Sequence, residues 1–372
     1  MLLRKNCVTI DLGAIRNNYR ILANAVPKGV GVMPVVKADA YGHGIVNVTR
    51  AVLLEGAACV AVAIAEEGVQ LRENGICAEI LVLGAATERA AAAAIENELT
   101  QTVFDPHMVM TLNQTAAQIG KIARVHVKVD TGMGRIGLRT DEEARALAAA
   151  LRAAEHVEAT GIYTHFADAD GSFAETGMNG FSRQQLTRFE RLKACFPPTL
   201  AAHAANSAMS LLTHEACFQM VRQGIVLYGC PPVKTELPFR PALQWESEVS
   251  HVKWIAKGEN VGYGLAFTAP RDMRIATVAV GYGDGYRRSG SNRAQMLIGG
   301  KRANVVGRIC MDQTMVDVTA IEEAEPGAPA MLIGRQGEEE IRAEELAGWW
   351  DTISYEALLA ATSRVPRLYI GE

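Results

Sequence analysis

The sequence predicts an α/β chain of two domains: a (β/α)8 TIM-type barrel over residues 1–235, then a mainly antiparallel β domain over residues 236–372. Three observations carry this prediction. Eight short apolar runs alternate with alanine-rich amphipathic stretches before residue 235, the rhythm of a parallel sheet covered by helices. The rhythm stops at the prolines 231, 232, 238 and 241, a composition break suited to a boundary. Beyond it, apolar residues alternate singly with polar ones between glycine turns, as antiparallel strands do.

The elements follow in order. Asp11 stands where a helix N-cap belongs, and Leu12, Ile15, Tyr19 and Leu22 then share one face of a helix that ends near Pro27. Apolar runs at 30–36, 58–64, 79–83, 100–104, 123–129, 158–164, 200–203 and 220–226 are the eight predicted strands. Between them, 88–98 and 141–154 read as covering helices, as does the stretch with Leu186, Phe189 and Leu192 three apart. After the prolines, Leu243, Trp245, Ser247, Val249 and His251 alternate with polar neighbours. Gly299-Gly300 and Gln336-Gly337 predict hairpin turns, and 343–350 a short helix.

Bulk properties narrow the function. A chain of 372 residues, 49% hydrophobic and 21% charged, has ample material for a core and more than one core usually holds. The net charge of -4 comes from mixed charges without a basic run, which argues against nucleic acid as a partner. No stretch approaches the ~20 apolar residues of a membrane span. The opening residues 1–7 lack the apolar centre of a signal peptide. Seven scattered cysteines without a Cys-x-x-Cys pair suit reduced thiols. Cytoplasmic placement is therefore expected, and no metal site is.

The most informative segment is Met33 to Gly44, in which Lys37 directly follows an apolar strand. Barrel active sites sit at strand C-termini, and desolvation there lowers an amine's pKa and frees it to form a Schiff base. A glycine-rich run, Gly132-Met-Gly-Arg-Ile-Gly137, has the local context of a dinucleotide fingerprint. It lies on the fifth strand rather than the first, however, and Glu158 begins a strand instead of ending one.

The segment around Lys37 resembles the cofactor-lysine motif of alanine racemases. Further matches follow in that family's order: 128–138, His165, Asn206-Ser207, Arg222 with Gly224 and Ile225, 261–264, 281–286, 310–312 and Tyr355. The resemblance implies pyridoxal 5'-phosphate on Lys37, with Tyr41, His165, Asn206, Ser207, Arg222, Gly224, Ile225 and Tyr355 as further cofactor contacts. It implies two opposed bases, Lys37 and Tyr263, the tyrosine coming from the partner in a homodimer with shared active sites. Arg135, Met311, Tyr282 and Asp312 would meet the substrate, and Lys128 is a candidate for carbamylation. The implied activity is racemisation of alanine, feeding D-alanine to peptidoglycan precursors. Racemisation of another small amino acid such as serine, a decarboxylase on the same cofactor and barrel, and a non-catalytic carrier of the cofactor are the alternatives. Tyr355 disfavours serine, Arg222 disfavours the decarboxylase, and a second domain carrying Tyr263 and Met311 disfavours the carrier.

Overall fold

The computed structural model describes residues 4–171 and 178–371, so the first three residues of the opening segment lie outside it. The chain divides into two compact units. One comprises residues 15–40 and 45–239; the other gathers 1–14, 41–44 and 240–372.

The larger unit is the barrel. The chain runs β1 (Cys7–Asp11), α1 (Leu12–Ala25), β2 (Gly31–Pro34), α2 (Lys37–Gly42), α3 (Ile45–Leu54), β3 (Cys59–Val62), α4 (Ala65–Glu73), β4 (Glu79–Ala85), α5 (Glu88–Glu96), β5 (Thr100–Val103) and α6 (Pro106–Ile119). It continues with β6 (Ala123–Lys128), α7 (Asp141–Ala153), β7 (Val157–Tyr163), α8 (Gly180–Lys193), β8 (Ala201–His203), α9 (Ser207–Leu212) and β9 (Met220–Gln223). Strands β2 to β9 form an eight-stranded parallel sheet. It closes where Val35 bridges Ala61 and the Val36 amide donates to the Ala61 carbonyl at 2.8 Å. All eight strand predictions fall on these strands, and β3 and β5 are buried along their whole length, as expected when helices cover a parallel sheet.

Local chemistry sets the helix starts. Asp11 accepts the Ala14 amide at 2.9 Å. Asp105 precedes Pro106 and accepts the Met108 amide at 2.9 Å. Thr140 and Glu143 form a reciprocal capping box, which satisfies donors a helix start otherwise orphans.

One segment defies local propensity. Ala38, Asp39, Ala40 and Tyr41 all have φ between 51° and 54°, followed by Gly42 at 83°, so α2 is a left-handed turn directly after Lys37. L-residues disfavour this conformation by about 1–2 kcal/mol each. Side chains brace it: Glu67 accepts the Ala38 amide at 2.6 Å, and Asp39 accepts the Ile45 amide at 2.8 Å.

The second unit contains β10 (Leu243–Ile255), β11 (Asn260–Val261), β12 (Phe267–Thr268), β13 (Met273–Val278), β14 (Gln295–Ile298), β15 (Lys301–Val305), β16 (Thr314–Asp317), β17 (Pro329–Gln336), β18 (Glu339–Ile341), α10 (Ala343–Trp350), α11 (Ser354–Leu359) and β19 (Arg367–Ile370). Strands β10, β13, β16, β15, β14 and β17 pair antiparallel in a ring that closes through β10–β17. Gly299 and Gly300 both take positive φ in the predicted β14–β15 hairpin. The β17–β18 turn is one residue later than expected, because Gln336 still pairs with Glu339. In β10 the alternation ends after Val249, where the pairing with β13 shifts register and His251 is exposed.

The sequence reading missed β1. It pairs antiparallel with β10 and parallel with β19, so the residues before the first helix belong with the second unit rather than with the barrel.

Candidate active site

Strand parity in the barrel turns a row of polar side chains inward. Lys128 on β6 stands in register with Tyr163 on β7, and Tyr163 with His203 on β8. Arg222 on β9 is in register with Met33, four residues before Lys37.

Arg222 is the hub. Its Nη1 donates to His203 Nδ1 at 2.9 Å and to the His203 carbonyl at 3.0 Å. Its Nη2 donates to the carbonyls of Thr164 at 2.7 Å and Ala204 at 3.0 Å, and to His165 Nδ1 at 3.2 Å. Its guanidinium also lies 5.3 Å from the centre of the Tyr163 ring. Burial pushes its pKa down to about 10, so it stays cationic at neutral pH. Among the described residues, Nε–H is the one donor of this guanidinium without an acceptor.

Arginine has no acceptor to offer, so both imidazoles must receive its protons on a lone pair. Burial, and then the Arg222 charge, hold His165 and His203 well below their ordinary pKa. Each is therefore neutral, with its proton on Nε2.

Lys37 is half-buried at the barrel mouth, its pKa lowered by burial and then by the Arg135 charge. Lys128 donates to the Val129 carbonyl at 2.7 Å and lies 5.3 Å from the Tyr163 ring centre. Burial, with Arg222 and Arg135, lowers its pKa to about 7 although Asp130 opposes the shift. Arg135 is exposed and makes no ion pair among the described residues.

Asn206 caps α9 by accepting the Met209 amide at 3.0 Å. Ser207 Oγ accepts the Gly224 amide at 3.0 Å, which leaves the hydroxyl proton free to donate. Gly224 precedes the turn that begins at Ile225.

The glycine-rich run is no phosphate cradle. Asp130 accepts the amides of Gly132 and Gly134, both at 3.0 Å. A carboxylate already occupies the place a diphosphate would take.

The second unit holds the remaining expected residues. The rings of Tyr41 and Tyr355 lie 6.0 Å apart, and burial raises the Tyr41 pKa, keeping its phenol a donor. Tyr263 is 70% exposed on a tight turn between glycines. Loop 281–286 is stitched to loop 310–312: the Tyr282 amide donates to the Cys310 carbonyl at 3.0 Å, and the Gly283 amide to that of Met311 at 2.8 Å. Arg364 donates to Asp312 at 2.8 Å. Tyr282 and Met311 are 41% and 53% exposed.

The sequence reading gave no site role to His203, His126 or Tyr163. Their signal was parity: once Lys128 points inward, so does His126 two residues earlier.

Comparison with known proteins gives a consistent result. The model of the alanine racemase N-terminal domain matches residues 10–232, and that of the C-terminal domain matches 242–369. Alanine racemase of Symbiobacterium thermophilum is 46% identical over 377 residues, covering 100% of this chain and 98% of that protein. The solved alanine racemase of Bacillus anthracis with bound L-Ala-P is 36% identical with a TM-score of 0.91, covering 100% of this chain and 97% of that one. That of Bartonella henselae with covalently bound pyridoxal phosphate is 29% identical with a TM-score of 0.89, covering 98% and 99%.

Proposed function

The chain belongs to the alanine racemase family, and from that premise we propose how its residues divide the work of interconverting L- and D-alanine. The enzyme is an amino-acid racemase dependent on pyridoxal phosphate. When bound, that group supplies an electron sink that lets the Cα–H bond of the amino acid ionise.

The residues fit the group by their own chemistry. Arg222 keeps one unspent donor, Nε–H, on an otherwise saturated buried guanidinium. That suits a ring nitrogen that accepts a hydrogen bond without taking the proton. By donating without giving up its proton, Arg222 would keep the sink weak and disfavour side reactions. Ser207, Tyr41 and Tyr355 would offer hydroxyl donors for the phosphate, and Gly224 and Ile225 would offer backbone groups. Asn206 and His165 frame the site, and Lys37 is the covalent attachment.

Racemisation takes a proton from one face of Cα and returns one to the other, so two groups must stand opposed. Lys37 serves the D-face and Tyr263 of the partner subunit the L-face. The exposure of Tyr263 on its own unit supports a homodimer in which it is covered by a second copy. A free phenol, with a pKa of about 10, is a poor base at neutral pH; His165, its Nε2–H directed away from Arg222, and Arg222 itself support the phenolate. Arg135 and the Met311 backbone take the substrate carboxylate, and Tyr282 and Asp312 line the approach. In this division the barrel, together with Tyr41 and Tyr355, binds the cofactor, and Tyr263 and Met311 of 236–372 serve the partner's site.

With a pKa of about 7, Lys128 is substantially unprotonated at neutral pH. It can add carbon dioxide, losing a proton, to form a carbamate that pairs with Arg135. Intact-mass measurement under carbon dioxide should show one added CO2 that Lys128→Arg abolishes; a free amine in both rules the carbamate out. The free cysteines and the absence, among the described residues, of a helix long and apolar enough to cross a membrane support a cytoplasmic enzyme.

The observation that carries this reading is the sharing of Arg222 between His165 and an otherwise unspent Nε–H. The test is L-alanine in deuterated water: D-alanine should form with deuterium at Cα. An inert substrate overturns the reading.

A further inference from the structure

Behind Arg222 one further hydrogen bond follows, His203 Nε2 lying 3.0 Å from His126 Nδ1 on β6. Beyond it His126 Nε2 faces Glu79 Oε1, at the first residue of β4, across 3.9 Å, an electrostatic contact rather than a hydrogen bond. The Thr100 hydroxyl donates to that same Oε1 at 3.2 Å. Arg222 and His203 sit late in their strands and Glu79 opens its own, so the column crosses the barrel interior from the cofactor end to the opposite end. There the Glu79 side chain is 43% exposed.

The direction of every proton in the column follows from its top. Arg222 only donates, so His203 Nδ1 accepts and its single proton sits on Nε2. That proton goes to His126 Nδ1, which must accept. The proton of His126 is then on Nε2, facing the Glu79 carboxylate. Burial, with the Arg222 charge as the second cause, keeps His126 neutral, its pKa near 4.

The column is built into the barrel rather than merely tolerated. Gly161 on β7 is in register with His126, and a Cβ there would lie 2.5 Å from the imidazole. The Tyr163 ring stacks on His203 at 4.8 Å with 4° between planes. Its hydroxyl is tied to Thr102 Oγ1 at 2.9 Å and to the Leu83 carbonyl at 3.1 Å, so the stacked pair cannot turn freely. Two buried imidazoles cost desolvation that apolar side chains of similar volume would avoid, so packing alone does not account for them.

We propose that His126 and Glu79 are positioning residues which, through His203, hold Arg222 in the orientation that leaves its Nε–H for the cofactor. With His203 in the other tautomer, an N–H would face an N–H of Arg222 and the guanidinium would lose its place. The role in catalysis rests on the reading that Arg222 meets the ring nitrogen; the orientation of the column does not.

The test begins with cofactor-free protein labelled with 15N-histidine, assigned by single substitutions. His203 and His126 should both show an unprotonated Nδ1 and a protonated Nε2 at neutral pH. A protonated Nδ1, or an imidazolium, at either residue overturns the proposal. Functionally, His126→Leu should redistribute the His203 tautomers, weaken pyridoxal phosphate binding on the order of tenfold, and lower the number of racemisation turnovers per inactivating transamination by a similar factor. His126→Gln, whose amide oxygen can accept from His203, should recover most of both. If the leucine variant keeps the native His203 signal and partition ratio, or glutamine behaves as leucine does, the histidine is structural and the proposal fails. Enzyme loaded with ring-15N cofactor separates the two readings: a protonated ring nitrogen above a column with the stated tautomers overturns the role of Arg222 while leaving the column in force.

Discussion

The two units carry the side chains proposed for the site in opposite ways. In the barrel, Arg222, His203 and His126 are buried and their protons are assigned by neighbours within the same unit. In the β unit, Tyr263, Tyr282 and Met311 stand on a backbone braced by turns and stitched loops, while their side chains face solvent. The barrel half of the site is thus preorganised before anything binds. The β half presents its groups on an exposed surface, the arrangement the proposed sharing with a second copy calls for. Substitutions in the barrel should therefore cost stability and activity together, whereas those in the β unit should separate the two.

The largest expected effect tests that separation. Tyr263→Phe should lower racemisation by a hundredfold or more, yet change unfolding free energy by less than about 0.5 kcal/mol, as exposed substitutions usually do. Paired activity and denaturant measurements check it; a large stability loss would erase the contrast. Next, Arg222→Leu should destabilise by about 3 kcal/mol, because it strands carbonyls and two imidazole lone pairs in the barrel interior. An unchanged denaturation midpoint would mean that the guanidinium is not the hub. Gly161→Ala should cost about 1–3 kcal/mol, since the new methyl overlaps the His126 imidazole and the packed strands cannot yield. In His126→Leu the same glycine substitution should be milder, and equal penalties in both backgrounds would place the strain elsewhere.

The smallest effect concerns pH. His126 ionises near 6.5 when unfolded and near 4 when folded, so below about pH 6.5 the unfolded chain binds more protons. Its contribution is present above that value and lost as pH falls toward 4. Denaturation at stepped pH should show a slope in this window that His126→Gln reduces; an identical slope would remove His126 as its source.

How much of this was legible differs by residue. The eight barrel strands were readable because they are short, mostly apolar runs set between amphipathic helical stretches, two of them, β3 and β5, buried throughout. The family was readable because the motif residues follow its order. The strand β1 was not, since its partners Gln244 and Leu368 are more than two hundred residues away and nothing local marks five residues for that pairing. The left-handed turn at 38–41 was not either, because local propensity argues against it at every residue.

Periodicity, capping and motif order therefore sufficed to determine the barrel, the β unit and the family, all of them properties of residues near one another in the chain or matched in order. Which imidazole carries its proton on which nitrogen, and which arginine donor is left unspent, was decided by tertiary structure alone. Those assignments follow from contacts between strands that chain order does not encode, and a buried group takes its protonation from whatever it touches.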